Sequence, residues 1–332
     1  MASSGPMRTI ADILPFRAEA TPEKTALVEM APDGRLAETK FAELARQVEA
    51  FAARLHAEGA APGRTVALLM RNSRRWVVAY HAVFRLAGVA VPLEHGMLGG
   101  EPERLGHALD DAAVAAPPAG GPPPSRPQPS DLAQILYTSG TTGPKKGVEL
   151  THGNIIFDVE TCCRRFGLHE DDCLPALLPY HHAYPLTATV VLPPWAGARM
   201  AVGDVTERRT RDLLRLCRPT VLVGVPRVFE SLLDGLRRAA SRAGRLDKLE
   251  LGLRLAALVK GATGVNVGRR IFRRLHRELF GGTQLRFCVS GGARISPALL
   301  KDCFLLGIPV VQGWGMSELS PVAAAQPFSP FR

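Results

Sequence analysis

Between Phe41 and Glu58 the apolar positions Leu44, Val48, Phe51, Ala52 and Leu55 recur every three or four residues, which predicts an amphipathic helix stopped by Gly59. Next come a short apolar run, Thr65–Met70, a helical stretch over Trp76–Leu86 that ends at Gly88, and a second apolar run at Val89–Pro92. That order is a βαβ unit and predicts parallel strands joined by a right-handed crossover. Further along, Leu132–Tyr137, Thr220–Gly224, Leu285–Ser290 and Pro309–Gln312 read as strands. A helix starts near Pro226 and leads into an Arg-rich helical region reaching about Phe280; another is opened by Ser296 at its cap and Pro297 at its first position. The expected fold class is therefore α/β.

The pattern is interrupted twice. Seven prolines fall within the thirteen residues from Pro117 to Pro129, a stretch too stiff and too poor in N–H donors to join a sheet. This divides the chain into an N-terminal α/β portion (1–116), a Pro-rich linker (117–130) and a second α/β portion (131–332). The longest apolar segment, Ala183–Ala198, contains Pro185, Pro193 and Pro194 and reads as a broken core segment, not a span of the ~18 apolar residues a bilayer needs. No internal repeat is visible, and no basic stretch followed by a continuous apolar run marks a secretory signal.

Length and composition narrow the classes. The 332 residues suit two subdomains, and 46% hydrophobic with 22% charged residues excludes wholesale disorder. The six cysteines form no CxxC pair and no disulfide-like spacing, which fits reduced thiols and a cytoplasmic setting. The net charge of +10 comes from 34 Arg against 7 Lys, much of it between Arg208 and Arg277. Such a field suits an anionic partner or simply solvated helix faces. A nucleic-acid binder is not expected, because no helix-turn-helix or aromatic RNA motif accompanies the charge. Peripheral contact of the Arg-rich region with anionic lipid is a weaker expectation.

Chemistry concentrates in YTSGTTGPKKG, residues 137–147, after a strand and before a helix expected near Thr151–Val159. Its glycines let backbone N–H groups approach anionic oxygens, its hydroxyls donate and its lysines add charge, so it reads as a phosphate-gripping loop. The Walker register fails, since Gly140 and Gly143 are three apart. Glu318 is a lone carboxylate in a Gly-rich turn after a strand; by itself it is equally a Mg²⁺ carboxylate or an acid favoured by a helix N-terminus. Trp314 beside glycines is either a stacking face or a core anchor. His181 and His182 lack the spacing of a metal site, and neither a GxSxG elbow nor a cysteine with a placed base supports a covalent nucleophile.

The string YTSGTTGPKKGVELTHGN closely resembles the AMP-binding signature of the adenylate-forming superfamily. Four more segments resemble that family's motifs in the same order: LPYHH at 178–182, VPRVF at 225–229, SGGA at 290–293 and QGWGMSE at 312–318. The resemblance runs from about Ile10 to Ala325 and is closest to long-chain fatty acyl-CoA synthetases. It implies a layered αβαβα N-terminal domain with two mainly parallel sheets. It also implies ATP, Mg²⁺ and, for a second half-reaction, coenzyme A. By that resemblance Thr138 and Glu318 hold the metal and serve catalysis together with His182, the gating histidine. Ser139, Gly140, Thr141, Thr142, Gly143 and Lys145 or Lys146 grip the phosphates. Gly291, Gly292 and Ala293 meet adenine and Trp314 offers it a stacking face; Gln312, Gly313, Gly315 and Met316 belong to the same cofactor-binding motif, in which Ser317 stands where the family has threonine. Tyr180, His181 and Tyr184 wall the acid substrate.

The implied reaction is attack of a carboxylate on the α-phosphorus of ATP, giving an acyl-adenylate and pyrophosphate, followed by displacement of AMP by a thiol. LPYHHAY, VPRVF and the want of an obvious acid to pair an α-amine favour a fatty acid over an amino acid. The chain stops shortly after Glu318, before the family's ribose-binding segment, hinge and C-terminal lid domain, so an N-terminal portion with incomplete ligase activity is expected. Two alternatives stand beside this reading: an acyl-AMP ligase serving a carrier protein, and a non-catalytic nucleotide-binding or scaffold module.

Overall fold

The computed structural model describes residues 7–94, 107–109, 126–138, 146–204, 209–282 and 284–326. Helix α1 (Ile10–Ala20) leads into the hairpin β1 (Thr25–Met30) and β2 (Leu36–Lys40), then α2 (Phe41–Ala57). Leu44, Val48, Phe51, Ala52 and Leu55 are all buried, as the spacing predicts. The βαβ unit follows as β3 (Thr65–Leu68), α3 (Arg74–Arg85) and β4 (Val89–Pro92), with β3 and β4 parallel. Strand β5 (His107–Leu109) pairs parallel with β3. Beyond the Pro-rich stretch, most of which lies outside the described residues, β6 (Leu132–Tyr137) and β7 (Gly147–Thr151) form an antiparallel hairpin. Helix α4 (His152–Phe166) then runs to β8 (Cys173–Ala176).

The segment expected to be broken is helical from end to end: α5 (Ala183–Leu186), a π turn (Thr187–Val191) and α6 (Leu192–Ala196). Pro193 and Pro194 have no N–H to continue the ladder, so the backbone widens to a π turn before them and restarts, with the prolines in the first turn of α6. The Thr189 hydroxyl donates to the Pro185 carbonyl at 2.6 Å. Next come β9 (Arg199–Val202), α7 (Thr210–Cys217), β10 (Val221–Gly224), α8 (Pro226–Arg242) and α9 (Leu246–Thr263). Two short helices, α10 (Gly268–Ile271) and α11 (Arg273–Phe280), lead to β11 (Phe287–Ser290) and α12 (Pro297–Leu305). The Ser296 hydroxyl accepts from Leu299 N–H at 3.2 Å, the cap its sequence called for. Strand β12 (Val310–Gly315), a 3₁₀ turn (Ser317–Leu319) and β13 (Val322–Ala325) complete the described chain.

The strands form three sheets, ordered β5-β3-β4-β6-β7, β2-β1-β9-β8 and β10-β11-β12-β13. The pairings are mainly parallel, and each sheet carries an antiparallel pair at one edge: β6–β7, β1–β2 and β12–β13. The expected boundary at 117–130 does not separate the sheets. Strand β4 pairs with β6 across it, and β1 pairs with β9. The largest core cluster likewise joins Trp76, Tyr80 and Phe84 to Leu136, Ile155 and Tyr180, and the Tyr80 hydroxyl donates to buried Gln134 at 2.8 Å.

At the amino ends of β8, β10 and β11 the side chain of Asp172 is fully buried. It accepts from the Thr220 hydroxyl at 2.6 Å, from His169 N–H at 3.0 Å and from the Arg286 guanidinium. Arg286 also donates to the Gly167 carbonyl at 2.8 Å, and Cys173 N–H donates to the Thr220 hydroxyl at 2.9 Å. Breaking a buried pair leaves an uncompensated charge. Arg286→Met is expected to lower the unfolding free energy by about 3 kcal/mol in urea denaturation, with much of that loss recovered when Asp172→Asn is added. A loss below about 0.5 kcal/mol would show the network to be dispensable.

Candidate active-site cleft

The carboxyl ends of β8, β10, β11 and β12 converge with α4, α5, the π turn and α6 around one cleft of about 530 Å³. That is where open α/β sheets bring loops to a ligand, and the size suits a small-molecule site of ~300–1,000 Å³. Its mouth is built from Gly291, Gly292, Trp314, Gly315, Met316 and Ser317. Its interior is apolar, with Phe166, Leu168, Leu174, Leu192, Val221 and Phe287 on the walls.

Tyr184 fixes the junction of the two parts. Its hydroxyl donates to the Val289 carbonyl at 3.1 Å, and its ring lies directly under Gly291. A Cβ on Gly291 would sit 2.9 Å from that ring, so any side chain there fills the floor on which a flat ligand would rest. Burial pushes the Tyr184 phenol well above its ordinary range, so it stays neutral. Trp314, 62% exposed, presents an open ring face at the rim and is not a core anchor.

The β6–β7 hairpin, expected to lead into the phosphate loop, packs against the 3₁₀ turn at Ser317–Leu319. Tyr137 pairs with Gly147, and Thr138 N–H donates to the Lys146 carbonyl at 3.0 Å, which places Thr138 and Lys146 at the hairpin's loop end. Ser139, Gly140, Thr141, Thr142, Gly143 and Lys145 lie outside the described residues. The helix expected near Thr151 begins at His152, and β7 stands between it and the loop. Val148 and Leu150 face inward with Glu149 out, a period-two signal only five residues long that the hairpin partner stabilises. Thr151 then caps α4, accepting from Asn154 N–H at 3.2 Å.

The 3₁₀ turn bearing Ser317 and Glu318 packs against β7, so Glu318 stands on the same side of the cleft as the hairpin. Glu318 is exposed, and no group of three or more His, Cys, Asp or Glu side chains able to hold a metal occurs among the described residues. A lone exposed carboxylate fits a Mg²⁺ ion held mostly by substrate phosphates, not one enclosed by protein ligands. Gln312 is tied to β13, its backbone N–H accepted by the Gln326 side chain at 3.1 Å; neither it nor exposed Ala293 lines the cleft.

His182 lines the cleft, and desolvation lowers its pKa below the usual imidazole value, so it is neutral near pH 7. His181 is outside the lining; the rings of the pair lie 4.2 Å apart in the turn before α5. Tyr180 is corrected from substrate wall to core residue. It is 1% exposed, its hydroxyl donates to the Ala176 carbonyl at 3.1 Å and its ring meets Trp76 edge-on at 4.9 Å.

Two polar groups in the wall escaped the sequence reading. Asp158 on α4 and Thr187 on the π turn are 5% and 3% exposed and line the cleft, and among the described residues Asp158 Oδ2 and Thr187 Oγ1 have no hydrogen-bond partner. Asp158 corrects the impression that no acid accompanies the acyl pocket. Its signal was a carboxylate in phase with the apolar stripe of Ile155, Cys162 and Phe166. Burial raises it to about 7, opposed by the Val322 amide and the Cys162 thiol.

The cleft joins a glycine floor and an exposed tryptophan at its mouth to an apolar interior within an α/β domain. The chain belongs to the AMP-binding enzyme family, whose profile matches residues 14–117 and 113–331. Among curated proteins it is 33% identical over 213 residues to peroxisomal long chain acyl-CoA synthetase 7 of Arabidopsis thaliana, covering 61% of this chain and 29% of that protein. It is also 33% identical over 214 residues to the putative fatty-acid–CoA ligase fadD11 of Mycobacterium tuberculosis, covering 60% and 37%. The chain thus spans about a third of the length of these relatives. Two solved structures share the fold. The N-terminal domain of FACL13 from M. tuberculosis superposes with a TM-score of 0.72 at 21% identity, over 94% of this chain and 77% of that one. The o-succinylbenzoate CoA synthetase of Bacillus subtilis, in complex with its acyl-adenylate intermediate, gives 0.72 at 23% identity over 95% and 60%. The expected acyl-CoA synthetase-like N-terminal domain is the fold observed, with three sheets where two were expected.

Asp158 yields a pH prediction. Unfolded, the carboxyl titrates near 3.8; folded, near 7. Between these values the folded protein holds a proton the unfolded chain has released, so this group's stabilisation is full below about pH 4, falls as pH rises and is gone above about pH 7. Urea midpoints at the two ends of that window should differ for the wild type and converge for Asp158→Asn. An unchanged pH slope in the variant would contradict a neutral buried Asp158.

Proposed function

We propose that the protein activates a carboxylic acid, of fatty-acid type, with ATP to an acyl-adenylate destined for coenzyme A, and that this chain carries the nucleotide- and acid-binding part. One observation carries the reading: the nucleotide-type mouth and the apolar interior are a single continuous cleft. A site for nucleotide alone has no use for a channel walled by Phe166, Leu174 and Phe287. A lipid site has no use for the glycine floor and the hairpin. The names of the curated relatives, acyl-CoA synthetases and fatty-acid–CoA ligases, support the same reading.

In the reaction an oxygen of the acid's carboxylate bonds to the α-phosphorus of ATP while the bond to pyrophosphate breaks. The chain's work is positioning and electrostatic stabilisation. Trp314 and the Gly291–Gly292 floor hold the purine plane, and the Ser317 hydroxyl donates toward the α-phosphate. Lys146 and the loop residues Ser139, Gly140, Thr141, Thr142, Gly143 and Lys145 would grip the β- and γ-phosphates, with Thr138 and Glu318 holding a Mg²⁺ ion. When bound, that ion would neutralise charge on the phosphates. Neutral His182 lies beside the junction, able to hydrogen-bond the reacting carboxylate without forming a fixed ion pair. The apolar walls take the acyl chain and exclude water.

The test is calorimetric titration with a sulfamoyl-linked dodecanoyl-adenosine mimic. The wild type is expected to bind, and Trp314→Ala to bind about tenfold more weakly, as removal of one stacking face costs ~1–3 kcal/mol. Equal affinity for adenosine lacking the acyl chain, or none for the mimic, would overturn the reading.

A further inference from the structure

The large apolar side chains exposed on the described surface fall into two groups and two single residues, Phe157 and Leu216. Trp314 and Met316 line the cleft mouth, and Tyr137 and Leu319 lie on the β6–β7 hairpin and the 3₁₀ turn that packs against it, so these four belong with the site already described. The second group is remote from it. Along α9 and just beyond, Leu251, Leu255, Leu258 and Val265 are 67%, 49%, 70% and 53% exposed, and Leu246 at the helix start is 38% exposed. Residues 251, 255 and 258 share one side of the helix, while Leu253 and Ala256 on the opposite side are buried in the core cluster with Phe272. Leu251, Leu255 and Leu258 make a continuous stripe on α9, with Val265 just past its end, and such patches mark surfaces that leave water.

The rim of the stripe says which surface. Lys248 and Arg254 project on its two sides, and exposed Arg238, Arg242 and Arg245 lie at the end where α8 turns into α9. Asp234, Asp247 and Glu250 are the acids nearby, so cations outnumber carboxylates around the stripe. Two copies of this chain meeting through the stripe would bring those guanidinium groups face to face. An apolar protein partner would leave the rim unanswered. An anionic bilayer answers both features, taking the leucines into the acyl boundary and the cations into the headgroups.

We infer that α9 docks the protein on an anionic lipid surface, with Leu251, Leu255 and Leu258 inserted and Lys248, Arg254 and the Arg238–Arg245 cluster against the headgroups. No described helix is long and apolar enough to cross a membrane, so the contact is one of a helix lying in the interface. It is independent of the proposed reaction.

Co-sedimentation with vesicles of equimolar phosphatidylglycerol and phosphatidylcholine, and with phosphatidylcholine alone, tests it. The wild type is expected to pellet with the mixed vesicles and release at high salt. Leu251→Asp with Leu258→Asp should weaken that binding by at least about tenfold, because both inserted side chains are lost. Lys248→Glu with Arg254→Glu should abolish the preference for anionic vesicles. Both sites are exposed, and circular dichroism confirms that the variants are folded. Wild type remaining in the supernatant would overturn the inference, as would variants that pellet like wild type. So would a dimer by sedimentation equilibrium that only the leucine variant dissolves, which would assign the stripe to a second copy.

Discussion

A single buried carboxylate holds the cleft in register. Asp172 sits where β8, β10 and β11 begin and is satisfied by Thr220, His169 and Arg286, each from a different part of the chain. Because the strands are tied at their amino ends, their positions along their length are fixed. The loops at their carboxyl ends then face one another at a set spacing. The third quarter of the chain meets the last quarter here, and Arg286 extends the tie to the end of α4 through the carbonyl of Gly167. In an apolar interior, partners so arranged rigidify a junction that packing alone would leave free to slide.

At the other end of the same strands, Tyr184 does the matching work. Its hydroxyl bonds to the backbone of β11, and its ring supports Gly291. The side chain therefore serves two surfaces at once: above it lies the glycine floor, and beside it the apolar channel. The π turn that follows sets the channel's wall. Forced by Pro193 and Pro194, it turns Thr187 and Ala188 into the cleft. A neutral tyrosine, a neutral histidine and an aspartate whose ionisation is held back by burial limit the fixed charge in this interior, which suits an uncharged chain following a charged head.

The elements whose period ran long were legible in the sequence: α2, α3 and α12 lie where apolar spacing and caps placed them, and β4 and β6 match to the residue. The short edge strands were not. Strand β7 carries only Val148 and Leu150 as inward positions, and its stability comes from pairing with β6, a non-local term that no window of sequence displays. The Pro-rich stretch looked like a boundary because prolines end elements. They do not stop strands on either side from pairing, as β4 and β6 do.

Site residues divide in the same way. Trp314, Gly291, Gly292, Ser317 and His182 line the cleft the motifs pointed to. Tyr180 does not, because the motif fixes which residues are neighbours in sequence and not which of two adjacent aromatic rings turns toward the core. Asp158 was hidden for the opposite reason, since a polar residue on a buried helical face shows its surroundings only once the facing helix is in place.

The central claim is that nucleotide and acyl chain share one continuous cleft. The most direct measurement is the affinity of acyl-adenosine sulfamates as the acyl chain is lengthened one methylene pair at a time. The account predicts a steady gain of up to about 0.8 kcal/mol per methylene, then a plateau once the channel is full. Affinity indifferent to chain length from the shortest acyl group onward would contradict it.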